Sequence, residues 1–206
     1  MTISFFIIII LSVYTDKKVE NYLNLIIAIV KNSNFENIEH LFDRLKSHFN
    51  HGGRIFLVGN GGSAAVASHA VTDLSKLSFN NNKLNPISLN SNMSLITAIS
   101  NDDGYENVFS YMIANYNVNS DDTLITISSS GNSTNLINLI NECKSKGIEI
   151  YSLLGFDGGE IKNITKYPIL AKSKNGYYGP VEDIHMMIIH LFSHLIKNDI
   201  EEINYQ

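Results

Sequence analysis

The chain has 206 residues, 44% of them hydrophobic, with 15 Lys+Arg against 20 Asp+Glu for a formal net charge of -5. That suits one domain with its own core and excludes a disordered chain. The mild acidity argues against a nucleic-acid footprint, and the lone Cys143 excludes an intrachain disulfide or a multi-cysteine zinc knuckle and suits a reducing cytoplasm.

Residues 3–14 (ISFFIIIILSVY) form an apolar run. It is shorter than the roughly 20 residues of a bilayer span, and no cation precedes it as in a signal peptide. The expectation is a leader over 1–16, either an interface helix or an upstream extension, with no membrane role. A single domain over 17–206 follows. Val19, Tyr22, Leu23, Ile26, Ile27 and Val30 recur at helical spacing, and Ile38, Leu41, Phe42, Leu45 and Phe49 repeat it. These predict helices over 19–31 and 35–49, paired as an antiparallel hairpin. RIFLV at 54–58 has no polar face and predicts a central strand of a parallel sheet. Helices are predicted over 64–77, 92–100, 105–116, 135–146 and 181–197. Further strands are predicted over 85–90, 123–127, 148–154 and 167–171. The recurrence of strand, turn and helix predicts an α/β fold, a doubly wound and mainly parallel sheet flanked by helices.

Two turns carry the chemistry. Gly59-Asn60-Gly61-Gly62-Ser63 joins a strand to a helix. Its glycines allow close backbone approach, and the helix start offers free N–H groups to a phosphate. Ser128-Ser129-Ser130-Gly131-Asn132-Ser133 stands in the same context and forms a neutral nest of donors. Both lie where strands of one open sheet end, the place where such sheets bind ligands. The first turn lacks the third glycine of the G-x-G-x-x-G fingerprint, having Ala64 there, and neither turn is a Walker loop, since no Lys-Ser/Thr follows. His69 and Asp73 are four apart and share a helix face, so they can chelate one ion or simply hydrogen-bond. His185, His190 and His194 stand on the last helix.

The first turn with Ala64-Ala65, Ser68-His69 and Asp73-Leu74 resembles the SIS (sugar isomerase) domain, as does the serine turn with Asn135-Leu136-Ile137 after it. Asn101-Asp102 with Gly104-Tyr105, Leu154-Gly155 with Gly158-Gly159, and Glu182-Asp183-Ile184-His185 to His190 are similar, in order and spacing, to the phosphoheptose isomerase branch. The resemblance covers about 19–197. It implies a ketose–aldose isomerase acting through an enediol on sedoheptulose 7-phosphate or a near relative, in heptose supply for surface polysaccharide. It implies Asp73 and His190 as catalytic groups, and a divalent metal, usually zinc, on His69, Asp73, Glu182 and His190. Ser128, Ser129, Ser130 and Ser133 match the phosphate serines, while Asn60, Gly61, Gly62, Ser63, Asp102 and Glu182 match substrate contacts. A homotetramer with the amino-terminal helices at its core is implied as well. Other members of the fold are non-catalytic modules that bind sugar phosphates or a replication-initiator protein, or act on N-acetylhexosamine phosphates. Such a binding module needs no His69, Asp73 and His190.

Two departures from the branch stand out. Asp73 replaces a glutamate, and Glu182 replaces a glutamine. Glu182 and His190 are eight apart, about 12 Å along an ideal helix. They can share an ion only if Glu182 lies at an unwound helix start near Pro180, or if two subunits contribute.

Overall fold

The computed structural model describes residues 17–78 and 83–197, so the leader over 1–16 lies outside the described residues. Helices α1 (Lys17–Asn32) and α2 (Ile38–His51) precede β1 (Arg54–Gly59) and α3 (Gly62–Ser78). Next come β2 (Asn85–Ser88), α4 (Met93–Asp102), a 3-10 turn (Tyr105–Asn107) and α5 (Val108–Ala114). The chain then runs through β3 (Thr123–Ser128), α6 (Thr134–Ser145), β4 (Glu149–Phe156) and α7 (Ile161–Ile164). It ends with β5 (Tyr167–Lys172) and α8 (Tyr178–Lys197).

The five strands form one parallel sheet in the order β2-β1-β3-β4-β5. Side chains alternate between its faces. Ile55, Leu57, Ile125, Tyr151 and Leu153 pack into one core with residues of α1, α2, α3 and α8. Phe56, Val58, Leu124, Ile150 and Leu154 pack into the other with α4, α5 and α6. A strand covered on both faces has no use for polar alternation, which is why Ile55-Phe56-Leu57-Val58 is apolar throughout, with Arg54 at its edge pairing with Asp122. This is the doubly wound α/β sheet that the sequence predicts. The chain leaves β1 for β2 on one side, then crosses to β3 on the other. The switch point therefore lies between the carboxyl ends of β1 and β3, where the glycine and serine turns sit.

Most predicted boundaries shift by a residue or two, and three element starts move by three. α2 starts at Ile38 because Asn34 is taken up in a bridge to Leu170 and Asn37 Nδ2 donates to the Pro168 carbonyl. The predicted helix over 105–116 divides into a 3-10 turn and α5, following Gly104 at φ 92°. α8 begins at Tyr178, with Pro180 in its first turn, where a missing N–H costs nothing. Both amino-terminal helices are present, and α1 packs against α8 and β5.

Candidate active site

At the end of β1, Gly61 takes φ 56° and turns the chain into α3. Gly62 opens that helix, and a Cβ there would fall 2.2 Å from Glu182 Oε2. The missing side chain thus makes room for a carboxylate from α8. Asn60 pairs with Asn135 through both amides, at 2.9 and 3.1 Å, and its Oδ1 also accepts from the Tyr105 hydroxyl at 2.7 Å.

A cavity of about 230 Å³ opens between the two turns, lined by Asn60, Ser63, Ser128, Ser129, Ser130, Ser133, Tyr178 and Glu182 together with Ile127. Ser128 Oγ accepts from the Gly131 N–H at 3.0 Å, so its own proton is free for a ligand. Ser130 Oγ accepts from the Asn132 N–H at 3.3 Å. Ser133 is the N-cap of α6, yet its side chain makes no capping bond. Ser129 Oγ is buried with no hydrogen-bond partner among the described residues. Buried hydroxyls are ordinarily satisfied, so this orphan in a cavity wall has a hydrogen bond still to give. Gly131, at φ 64°, lets the serine turn pack against the Gly158 carbonyl, 2.0 Å from where a Cβ would be. Within this wall Glu182 is partly buried. Burial first, and the nearby Asp183 charge second, push its carboxyl above the ordinary range.

α3 and α8 lie side by side and run in the same direction, since Gly62 meets Glu182, His69 meets His190 and Asp73 meets Ser193. His69 Nε2 lies 3.0 Å from His190 Nε2 and 3.4 Å from Asp73 Oδ2. Ser193 Oγ donates to Asp73 Oδ2 at 3.4 Å. One ligand atom from each of His69, Asp73 and His190 lies within 4.8 Å of the others. Donors held tetrahedrally at about 2.0–2.1 Å from zinc stand roughly 3.3 Å apart. The observed 3.0 and 3.4 Å bracket that spacing. Two imidazoles and a carboxylate therefore suit a divalent cation in both chemistry and separation.

Glu182 does not join this group within the protomer. It is the fifth residue of a regular α8 rather than part of an unwound start, so it stays two turns from His190. Asp102 lies exposed at the end of α4, its Oδ1 accepting from Asn101 Nδ2 at 2.8 Å. His185 is fully buried, and Nε2 donates to the Leu154 carbonyl at 3.1 Å. Burial holds its pKa down to about 4, so it serves the core as a neutral ring. Tyr178 carries no local signature in the sequence; Tyr105 and Asn135 stand in the Gly104-Tyr105 and Asn135-Leu136-Ile137 segments, but their contacts with Asn60 arise only through folding. A larger cavity of about 590 Å³, lined by Arg44, Lys144, Glu149 and Tyr167 among others, opens at the opposite, amino-terminal edge of the sheet. The chemistry-bearing groups lie in and beside the smaller one.

An open α/β sheet with a hydroxyl-lined cavity at its switch point, and a cation-ready cluster behind it, defines a protein that handles small anionic ligands. The family described as SIS domain matches residues 20–155. A phosphoheptose isomerase from Helicobacter pylori strain HPAG1 is 36% identical over 146 residues, covering 70% of this chain and 74% of that protein. One from Aneurinibacillus thermoaerophilus is 35% identical over 164 residues, covering 79% and 81%. The solved structure of phosphoheptose isomerase GmhA from Neisseria gonorrhoeae superposes with a TM-score of 0.76 at 26% identity, covering 88% of this chain and 95% of that one. The chain belongs to the SIS domain family, in its phosphoheptose isomerase branch.

Proposed function

We propose that this sugar-phosphate isomerase converts sedoheptulose 7-phosphate to D-glycero-D-manno-heptose 7-phosphate, in the cytoplasm, as a homotetramer that supplies heptose for surface polysaccharide. The observation that carries the reading is the meeting of His69, Asp73 and His190 on two helices whose starts frame the serine cavity. A non-catalytic sugar-phosphate module would use the cavity and leave that cluster idle. Relatives named phosphoheptose isomerase support the same choice.

The hydroxyls of Ser128, Ser129, Ser130 and Ser133 donate to the phosphate oxygens. Gly61 and Gly62 bring the start of α3 close to the ligand, and Ser63 and Asn60 hold the adjoining sugar. Glu182 and Asp102 accept from sugar hydroxyls. The reacting carbons C1 and C2 lie at the far end of the substrate from the C7 phosphate. His69 is seven residues beyond Gly62, about 10 Å along α3, so the cluster also stands away from the cradle. Asp73 Oδ2 faces His69 and Ser193, which leaves Oδ1 to take the C1 proton. His190 moves the proton between the two oxygens, and the shared enediol collapses to the aldose when the proton is returned at C2. His69, Asp73 and His190 would hold a divalent cation, zinc by resemblance, whose chemistry is to polarise the carbonyl and stabilise the oxyanion. Glu182 would join that set only from a second protomer.

The test is incubation of metal-replete protein with sedoheptulose 7-phosphate, with the products read by NMR. Asp73→Ala and His190→Ala should each lower turnover by about 10²–10⁴-fold and reduce bound metal. Unchanged turnover in both variants would remove the catalytic assignment.

A further inference from the structure

Asn60 borders three cavities at the carboxyl ends of β1 and β3, of about 570, 350 and 230 Å³. Tyr105 lines the first two and is absent from the wall of the third, the serine cavity. A carboxamide offers two acceptor lone pairs and two N–H donors. Both lone pairs of Asn60 Oδ1 are taken, by the Tyr105 hydroxyl at 2.7 Å and by Asn135 Nδ2 at 3.1 Å. Asn60 Nδ2 gives one hydrogen to Asn135 Oδ1 at 2.9 Å. What is left for a ligand is a single N–H.

We infer that Tyr105 is a positioning residue: with Asn135 it locks the Asn60 carboxamide so that Asn60 meets the sugar phosphate as a donor only. The inference rests on the reading of Asn60 as a substrate contact. A reciprocal pair of amides keeps its two hydrogen bonds when both groups flip together, so Asn135 by itself leaves the choice open. The phenol, a better donor than acceptor, decides it by demanding an oxygen opposite. Asn135 is buried in α6 and cannot turn away. The Tyr105 turn is anchored to that same helix, because Asn138 Nδ2 donates to the Glu106 carbonyl at 3.0 Å. Asn135 and Asn138 are three apart and share a face, so one helix sets both the amide and the hydroxyl that controls it. Gly104, at φ 92°, supplies the bend that delivers Tyr105 there. The locked N–H suits an ester, hydroxyl or phosphate oxygen and leaves no acceptor on Asn60 for a ligand donor.

Calorimetry with sedoheptulose 7-phosphate and steady-state kinetics test this on the wild-type protein, Tyr105→Phe, Asn60→Ala and the double variant. Tyr105→Phe should raise Kd and KM about fivefold, the worth of one hydrogen bond, with kcat within about twofold and an unchanged melting temperature. In the Asn60→Ala background the same change should leave Kd unaltered, because the group it positions is gone. Equal Kd and KM in Tyr105→Phe and wild type overturn the inference, as does an equal loss in both backgrounds. Wild-type protein that binds the sugar without turning it over overturns the isomerase reading, and the Kd comparison still decides the role of Tyr105. Absence of wild-type binding overturns both.

Discussion

Ser129 separates the needs of the fold from those of the ligand. Its hydroxyl is buried with no hydrogen-bond partner among the described residues, and a buried hydroxyl left unsatisfied costs a folded protein about 1–3 kcal/mol. Nothing in the local sequence demands a hydroxyl there, since the turn is already shaped by the Ser128 bond to Gly131 and by the open backbone of Gly131 itself. Replacing the hydroxyl by hydrogen removes the orphan without opening a large void. Ser129→Ala should therefore stabilise the ligand-free protein by about 1 kcal/mol, a rise of roughly 2–4 °C in Tm. The same variant should bind sugar phosphate about tenfold more weakly, because one phosphate donor is lost. Thermal unfolding without ligand, paired with KM, reads both effects. A variant that is less stable and binds normally would mean that Ser129 serves packing rather than phosphate.

Helix α1 is the element whose surface is least explained by one protomer. Its inner face, with Ile26, Ile29 and Val30, packs on the core. Its outer stripe, with Val19, Tyr22, Leu23 and Ile27, is between 40% and 53% exposed. Leu23 and Ile27 are one turn apart and form a continuous apolar surface. Covering that stripe with a second copy is the role the proposed homotetramer would give it. Leu23→Glu with Ile27→Glu should then convert the assembly to smaller species by light scattering, with the protomer still folded by circular dichroism. An unchanged mass would place the interface elsewhere. Most elements were legible because their periodicity is local: the apolar runs of β1, β3 and β4, and the helical stripes of α1 to α3. The divided helix at Tyr105 was not, since a 3-10 turn and an α-helix share the same apolar spacing over so few residues. The same contrast runs through the site. The two turns and the His69–Asp73 pair announce themselves by spacing. The approach of His190 to His69, the stay of Glu182 at the serine cavity and the Tyr105–Asn60–Asn135 contacts depend on how α3, α6 and α8 are placed, which no local pattern encodes.

At the scale of the whole molecule, the sheet buries two neutral imidazoles at opposite edges. His185 gives its Nε2 proton to the Leu154 carbonyl near the carboxyl end of β4, and burial holds its pKa near 4. His48, in α2, bonds the Gly52 carbonyl through Nδ1 at 3.0 Å and Thr123 Oγ1 through Nε2 at 2.7 Å, at the amino end of β3. Burial lowers its pKa as well, against the bond to the Gly52 carbonyl and with the nearby Arg44 charge acting in the same direction as burial. In both rings the folded pKa lies below the unfolded value of about 6.5. Below that pH the unfolded chain takes up protons that the folded chain refuses, so stability falls as pH drops from about 6.5 toward 4. For His185 the loss between pH 7 and pH 5 is about 2 kcal/mol, and His48 adds in the same direction. Asp122, held low by hydrogen bonds to Arg54 against the cost of its burial, acts in a separate window below the ordinary carboxylate range, where its protonation would release the Arg54 pair. The midpoint of thermal unfolding should therefore drop by several degrees from pH 7 to pH 5 in metal-free protein. His185→Gln keeps a neutral donor for the Leu154 carbonyl and cannot titrate, so its Tm should depend on pH more shallowly than the wild-type value. Equal slopes for the two proteins would show that His185 takes up its proton without unfolding, and that the carboxyl end of β4 is more open to water than a fully buried ring requires.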